Sequence, residues 1–251
     1  MGDNKFVLVT GCAKGGIGYE YCKAFAVQKC HVFDLDMHTL ELDVASDDSV
    51  ATAVLNNIIS KCGRIDILIN NAGIGSNGPL AELPLHTIRK SYEINTLEQL
   101  RLVQQVVPYM ASRQSGSIVN VGSVVVRVPT PWAGSYCASK AAVHAMSNTL
   151  RVELRPFGVN VVLVVLGARL GNYDWKLYKE FKEAIAERDR ASQGGKATDA
   201  TIFARHIKVL SPRPPKQIIF GHLTGLFAML SWSPLWVRDH FFATRFNLKK
   251  V

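Results

Sequence analysis

One α/β domain, built on a parallel sheet covered by helices on both faces, is the fold class this sequence predicts. Three observations carry the prediction. Short apolar runs alternate with segments of helical spacing along the chain, which is the pattern of βαβ units. Two of those runs, "IDILIN" at 65–70 and "VNVVLVVL" at 159–166, are apolar at nearly every position, as strands buried on both faces require. Finally, the first run leads directly into a glycine-rich turn, "TGCAKGGIG" at 10–18, and then a helical pattern.

The elements follow in order. Phe6 to Thr10 is an apolar, β-branched strand. Tyr19 to Lys29 has helical spacing, and His31 to Phe33 opens a second strand. "HTLELDV" at 38–44 reads as a third, and Asp47 to Cys62 as a helix. The strand in 65–73 ends in the polar turn "NNAG". Ile88 to Met110 is a long helix, "GSIVNVGS" at 116–123 a strand, Tyr136 to Leu154 a helix, and 159–167 a last strand. Residues 1–215 form this domain, and 216–251 form an apolar and basic segment of different character.

With 251 residues, 48% of them hydrophobic and 20% charged, the chain can bury a core of ordinary size. The net charge of +9 favours an anionic ligand or an anionic surface. No basic run interleaved with aromatics occurs, so nucleic acid is not an expected partner. Cys12, Cys22, Cys30, Cys62 and Cys137 are scattered and lack metal-ligand spacing. No metal is expected, and reduced thiols point to an intracellular, cytoplasmic setting. The opening residues enter a strand at once, without an apolar signal region.

Chemistry concentrates at the predicted carboxyl ends of the strands. Glycines between a strand and a helix let the backbone approach a pyrophosphate, which a helix N-terminus favours electrostatically. In "YCASK", Tyr136 and Lys140 stand four residues apart on one helix face. An ammonium beside a phenol favours the phenolate and brings its pKa down from about 10. Such a phenol can donate a proton to a carbonyl that receives hydride. Ser123, at a strand end, could bond the same oxygen, and Asn95 could hold a water next to Lys140 to complete a proton path.

The order TG…GIG, LDV, NNAG, Asn, Ser, YxxxK resembles the short-chain dehydrogenase/reductase family over roughly residues 5 to 170. The resemblance implies one Rossmann-type doubly wound sheet, a nicotinamide cofactor, and hydride transfer between a carbonyl and an alcohol. It also implies a catalytic set of Ser123, Tyr136, Lys140 and Asn95. Gly11, Gly16, Ile17 and Gly18 would form the pyrophosphate loop. Asp43 would contact adenine, while Asn70 and Ala72 would line the riboses, and Tyr136 and Lys140 would also hold the cofactor. The loop variant and the tail "GHLTGLFAMLSWSPLWVRDHFFATRFNLKK" are similar to a fungal branch that includes NADPH-dependent 1-acyldihydroxyacetone-phosphate reductases and reductases of natural-product pathways. The implied substrate is a lipophilic ketone, and many relatives pair subunits through the helix at 136–154, so a homo-oligomer is expected. A membrane-side setting, peripheral on endoplasmic reticulum or lipid droplets, is a further expectation.

Three departures stand out. Only "DLDM" separates Phe33 from His38, so the helix between strands two and three is missing and the second βα unit is shortened. In one threading "HVFDLD" is the whole second strand, and Asp36 binds a ribose hydroxyl. In the other the strand ends at Phe33 and is frayed, unpaired or repositioned. The second reads more naturally, and it leaves Lys14 to meet a 2′-phosphate and so to favour NADPH. After the last strand, Arg169 and Gly171 replace the small apolar residue and the Thr that the family uses at the nicotinamide, and the substrate lid at 173–200 is trimmed. Residues 217–237 hold no Asp, Glu, Lys or Arg over 21 positions. They read as a core-packed helix with a pocket wall, as an interfacial segment anchored by Trp232 and Trp236, or as a span.

Overall fold

A computed structural model describes residues 5–14, 16–35, 58–166, 214–221, 224–246 and 248. Among the described residues, six strands form one all-parallel sheet: β1 (Phe6–Thr10), β2 (His31–Leu35), β3 (Ile67–Asn70), β4 (Gly116–Ser123), β5 (Val159–Leu166) and β6 (Gln217–Ile219). Their order is β2-β1-β3-β4-β5-β6. The chain leaves β1 for β2 on one side and later reaches β3 on the other. The topological switch therefore lies between β1 and β3, where such sheets bind ligands at the strands' carboxyl ends.

Alternation along the strands divides the core. Val7, Val9, Ile67, Ile69, Val119, Val121, Val162 and Val164 pack on one face with Tyr21 and Phe25 of α1 (Ile17–Val27). Leu8, Leu68, Ile118, Val159 and Val161 pack on the other face with Leu102, Val106 and Met110. That face is covered by a helical run in three parts. These are α2 (Leu85–Tyr92), a π-helical segment (Glu93–Leu97) and α3 (Glu98–Ser112). Beside them lies α4 (Gly134–Glu153), whose Cys137 and Val143 pack on Leu163 and Val165. Burial of each such side chain stabilises the fold by about 1.5–3 kcal/mol.

Several expectations need correction. The second strand does not stop at Phe33, nor is it frayed or unpaired. It runs to Leu35 and pairs with β1 from Phe6↔His31 to Thr10↔Leu35. The reason is topological: β2 needs only the crossover that precedes it, and α1 supplies that in full. The shortening falls after the strand. The long helix expected over 88–110 begins at Leu85, ends at Ser112 and carries the π turn in its middle. The tail is neither one helix nor a span. It gives β6, then α5 (Thr224–Trp232) and α6 (Leu235–Arg245), divided at Ser233–Pro234. Leu226, Phe227, Leu230, Phe242 and Phe246 pack against Leu83, Val128 and Trp132. No helix among the described residues is long and apolar enough to cross a membrane. The expected third strand at 38–44 with Asp43, as well as Asp36, Arg169, Gly171 and the lid, lie outside the described residues, as does most of the helix expected over 47–62.

Candidate active site

The glycine loop and the end of β3 form one cradle. Gly11 sits at φ +69°, and a Cβ there would lie 2.8 Å from the Ala72 Cα. A Cβ on Gly18 would lie 2.4 Å from the Gly11 carbonyl oxygen, so only glycine lets the loop fold onto the first turn of α1. Thr10 Oγ1 accepts from the backbone N–H of Asn71 (3.1 Å) and of Ala72 (2.9 Å). Asn71 Nδ2 donates to the carbonyls of Thr10 (2.9 Å) and Gly11 (3.0 Å). Asn71 was not singled out from the sequence, although it stands in the quoted "NNAG".

Gly16 is the N-cap of α1, and no side chain caps the helix. The first-turn N–H groups after it, with Ile17 leading the helix, are the donors that a pyrophosphate binds. Lys14 is exposed on the same loop. The loop thus fits the phosphate portion of a dinucleotide cofactor, which Gly11, Gly16, Ile17 and Gly18 would hold with Lys14 exposed on the same loop. Ala72 is buried at the cradle's floor. Asn70 is different from expectation. It is fully buried, and its Nδ2 donates to Asn120 Oδ1 (2.8 Å) and the Gln99 carbonyl (3.4 Å). Its side chain ties β3 to β4 and α3 inside the core.

The residues expected to transfer the proton come from three neighbouring elements. Asn95 lies in the π segment, and such single π turns often mark functional sites. Its Oδ1 accepts from Ile74 N (2.7 Å), and its Nδ2 donates to Ile74 O (2.9 Å), Ser139 Oγ (3.0 Å) and Ser91 Oγ (3.2 Å). Ser139 Oγ in turn donates to the Tyr136 carbonyl at 2.9 Å. Lys140 is 3% exposed, and its Nζ donates to Val121 O of β4 at 2.9 Å. Asn95 and Lys140 meet across Gly73: a Cβ there would lie 3.1 Å from Asn95 Oδ1 and 3.3 Å from Lys140 Nζ. Tyr136 is half-buried one turn before Lys140. It packs on the cluster holding Val124 and Val125, the residues just after Ser123. Ser123 ends β4, donates its hydroxyl to Leu166 O (3.1 Å) and is buried.

Electrostatics distinguish this region. Burial lowers the Lys140 pKa to about 8, against the opposing pull of Glu98. Burial raises Glu98 to about 7, while Lys140 and Arg101 pull it down. His144 is lowered to about 4 by burial, then by Lys140 and Arg127. Its Nε2 accepts from the Ser123 backbone N–H at 3.2 Å, so the imidazole is neutral. Neither Glu98 nor His144 was singled out from the sequence. The available signal for Glu98 was an acid three residues after Asn95, on a helix whose neighbours are apolar.

Similarity to known proteins agrees with this geometry. Residues 34–180 match the family described as short chain dehydrogenase. A short-chain dehydrogenase of Hypocrea virens is 32% identical over 276 aligned positions, covering 99% of this chain and 95% of that protein. An NADPH-dependent 1-acyldihydroxyacetone phosphate reductase of Schizosaccharomyces pombe is 36% identical over 180 residues, covering 66% of this chain and 60% of that one. In fold, a short-chain dehydrogenase from Streptomyces avermitilis superposes with a TM-score of 0.82 at 23% identity, over 99% of this chain and 100% of that one. With its switch-point cradle, its buried lysine one turn after a tyrosine and its matched residues, the chain belongs to the short chain dehydrogenase family of oxidoreductases.

Proposed function

We propose that the protein is an NADPH-dependent reductase of a lipophilic ketone, either an acyl-dihydroxyacetone phosphate or an intermediate of fungal natural-product synthesis. The observation that carries this reading is the buried Lys140, held against β4 and Asn95 with Tyr136 one turn away. Held at its phosphates by Gly11, Gly16, Ile17 and Gly18, the cofactor when bound would supply hydride to the carbonyl carbon. Tyr136 gives a proton to the carbonyl oxygen, which becomes the alcohol. Ser123 exchanges its bond to Leu166 O for one to that oxygen and holds it. Lys140 lowers the proton affinity of Tyr136, and Asn95 fixes the segment at Gly73 on which both depend. The named activity of the Schizosaccharomyces pombe relative supports the cofactor and the substrate class.

A second reading, a family member that moves protons without hydride as an isomerase, dehydratase or cyclase, is favoured by the shortened stretch after β2. Fluorescence titration with NADPH and NADH, followed by turnover on acyl-dihydroxyacetone phosphate and on an aromatic ketone, separates the two. Micromolar NADPH binding with ketone-dependent NADPH oxidation is expected. Tyr136→Phe should lose at least ~10²-fold in turnover, the scale of a general acid, with NADPH affinity unchanged. Binding of neither cofactor would favour the second reading, and near-normal turnover in the variant would sink the proton-donor assignment.

A further inference from the structure

Among the described residues, two charged side chains are fully buried: Lys140 and Glu98, the latter 1% exposed. They have opposite sign and stand on elements bonded to each other. Thr96, two residues before Glu98, donates its hydroxyl to the Ser139 carbonyl at 3.0 Å, and Asn95 bonds the Ser139 hydroxyl at the same distance. Ser139 directly precedes Lys140. The helix segment that begins at Glu98 is therefore pinned to the turn of α4 that carries the lysine. Glu98 Oε2 has no hydrogen-bond partner among the described residues. A carboxylate oxygen placed so deep without a bonded partner is tolerated only where another charge compensates it.

We propose that Glu98 is a positioning residue for Lys140, the internal counter-ion that keeps the ammonium charged behind Tyr136. The proposal rests on the reductase reading only in that Lys140 serves Tyr136. Glu98 is not offered as touching substrate or cofactor. Other charges around the pair are few. Arg101, one turn along α3, faces Glu98 but is itself ion-paired with Glu93. His144 of α4 is neutral, and Arg127 acts on His144. Glu98 ionises above about 7 and Lys140 holds its proton below about 8, so the pair is charged on both sides in the window between. Removing the carboxylate removes the one influence that raises Lys140. Lys140 then loses its proton at lower pH, and the alkaline limb of activity moves the same way.

The full-length chain, with its lysines carrying ¹³C and the Lys140 signal identified by its loss in Lys140→Arg, allows the Lys140 midpoint to be read directly by NMR. In Glu98→Gln the midpoint should fall by about one pH unit, a common size for loss of a nearby opposite charge. In Glu98→Asp it should fall by less. The alkaline limb of NADPH-dependent kcat should shift in parallel. An unchanged Lys140 midpoint in a folded Glu98→Gln protein overturns the proposal. If that variant does not fold, the native titration curve decides. A second inflection of the Lys140 signal near pH 7 supports the coupling, and a single-phase curve overturns it. A protein without turnover at any pH would defeat the reductase reading, while the Lys140 midpoints would still decide the role of Glu98.

Discussion

His144 shows how a single half-buried side chain serves the site without touching substrate. It accepts the Ser123 backbone N–H, and a Cβ on Gly122 would lie 2.2 Å from its Nε2, so the residue before Ser123 must be glycine. The imidazole thus fixes the strand end that presents Ser123. Its pKa falls from 6.5 to about 4 on folding. Between those values the unfolded chain binds the proton and the folded chain does not. This residue's contribution to stability is therefore full above pH 6.5 and is lost as pH falls towards 4. His144→Leu, which leaves the Ser123 N–H without an acceptor, should cost about 1–3 kcal/mol, read by urea denaturation at pH 7. The variant should also lose part of the native fall in stability between pH 6.5 and 4. His144→Gln, which keeps an acceptor, should be milder. If the leucine variant is as stable as the native chain, the bond to Ser123 carries no weight. The sequence displayed Tyr136 and Lys140 because their spacing on one helix face is itself the signal. His144, Glu98 and the core role of Asn70 depend on what lies across the sheet, and no local spacing encodes that.

Among elements, regular strands were the most legible. The first strand and 116–123 were read to the residue, because each centres on a β-branched apolar stretch that ends in polar or glycine positions. The π turn left no comparable trace: one wider turn changes the register of "EINTL" without changing its residue types. β6 was also hidden, being three residues long and paired, among the described residues, only to β5. The glycine loop was legible as a motif, and its geometry supplies the reason. Gly11→Ala would force a side chain into a left-handed conformation and against the Ala72 Cα. A strained backbone of this kind costs of order 1–3 kcal/mol. We expect stability to fall by at least ~1 kcal/mol in urea denaturation, with weakened NADPH binding, because the loop and the end of β3 are bonded together. A variant with native stability and native affinity would show that the loop relaxes freely.

At the scale of the molecule, the doubly wound parallel sheet was legible as a family pattern, while the two ends of the binding crevice were not. The tail packs one side of α5 and α6 into the fold and leaves the other open. Trp232 is 90% exposed, Trp236 71%, Met229 66% and Leu235 64%. With a chain charge of +9 and Arg238 and Arg245 on α6, this face has the composition of an interfacial surface. We expect the protein to float with liposomes containing anionic lipid, to do so less as salt is added, and to lose most flotation in Trp232→Ser/Trp236→Ser. Flotation unaffected by that double substitution would place any membrane contact elsewhere.

The shortened stretch has its own consequence at this scale. β2 is paired through Leu35, so the strand on which adenosine would lie is present, and what the chain lacks follows it. Each bond lost to a charged 2′-phosphate would cost about 1.5–3 kcal/mol, and ~1.4 kcal/mol is tenfold in affinity. Loss of one or two such bonds therefore weakens cofactor binding by about ten- to about twenty-thousand-fold. Lys14, exposed on the glycine loop, can return part of that to NADPH and nothing to NADH. Residual preference should accordingly be for NADPH, and Lys14→Ala should abolish it. Inserting a relative's segment between strands two and three, placed after Leu35 so that the existing ladder is kept, should strengthen NADPH binding by at least ~10-fold. Fluorescence titration of the native chain and the chimera measures both effects. Equal affinity in the two proteins would mean that residues 36–57 already supply the contacts, and that the shortening costs the cofactor nothing.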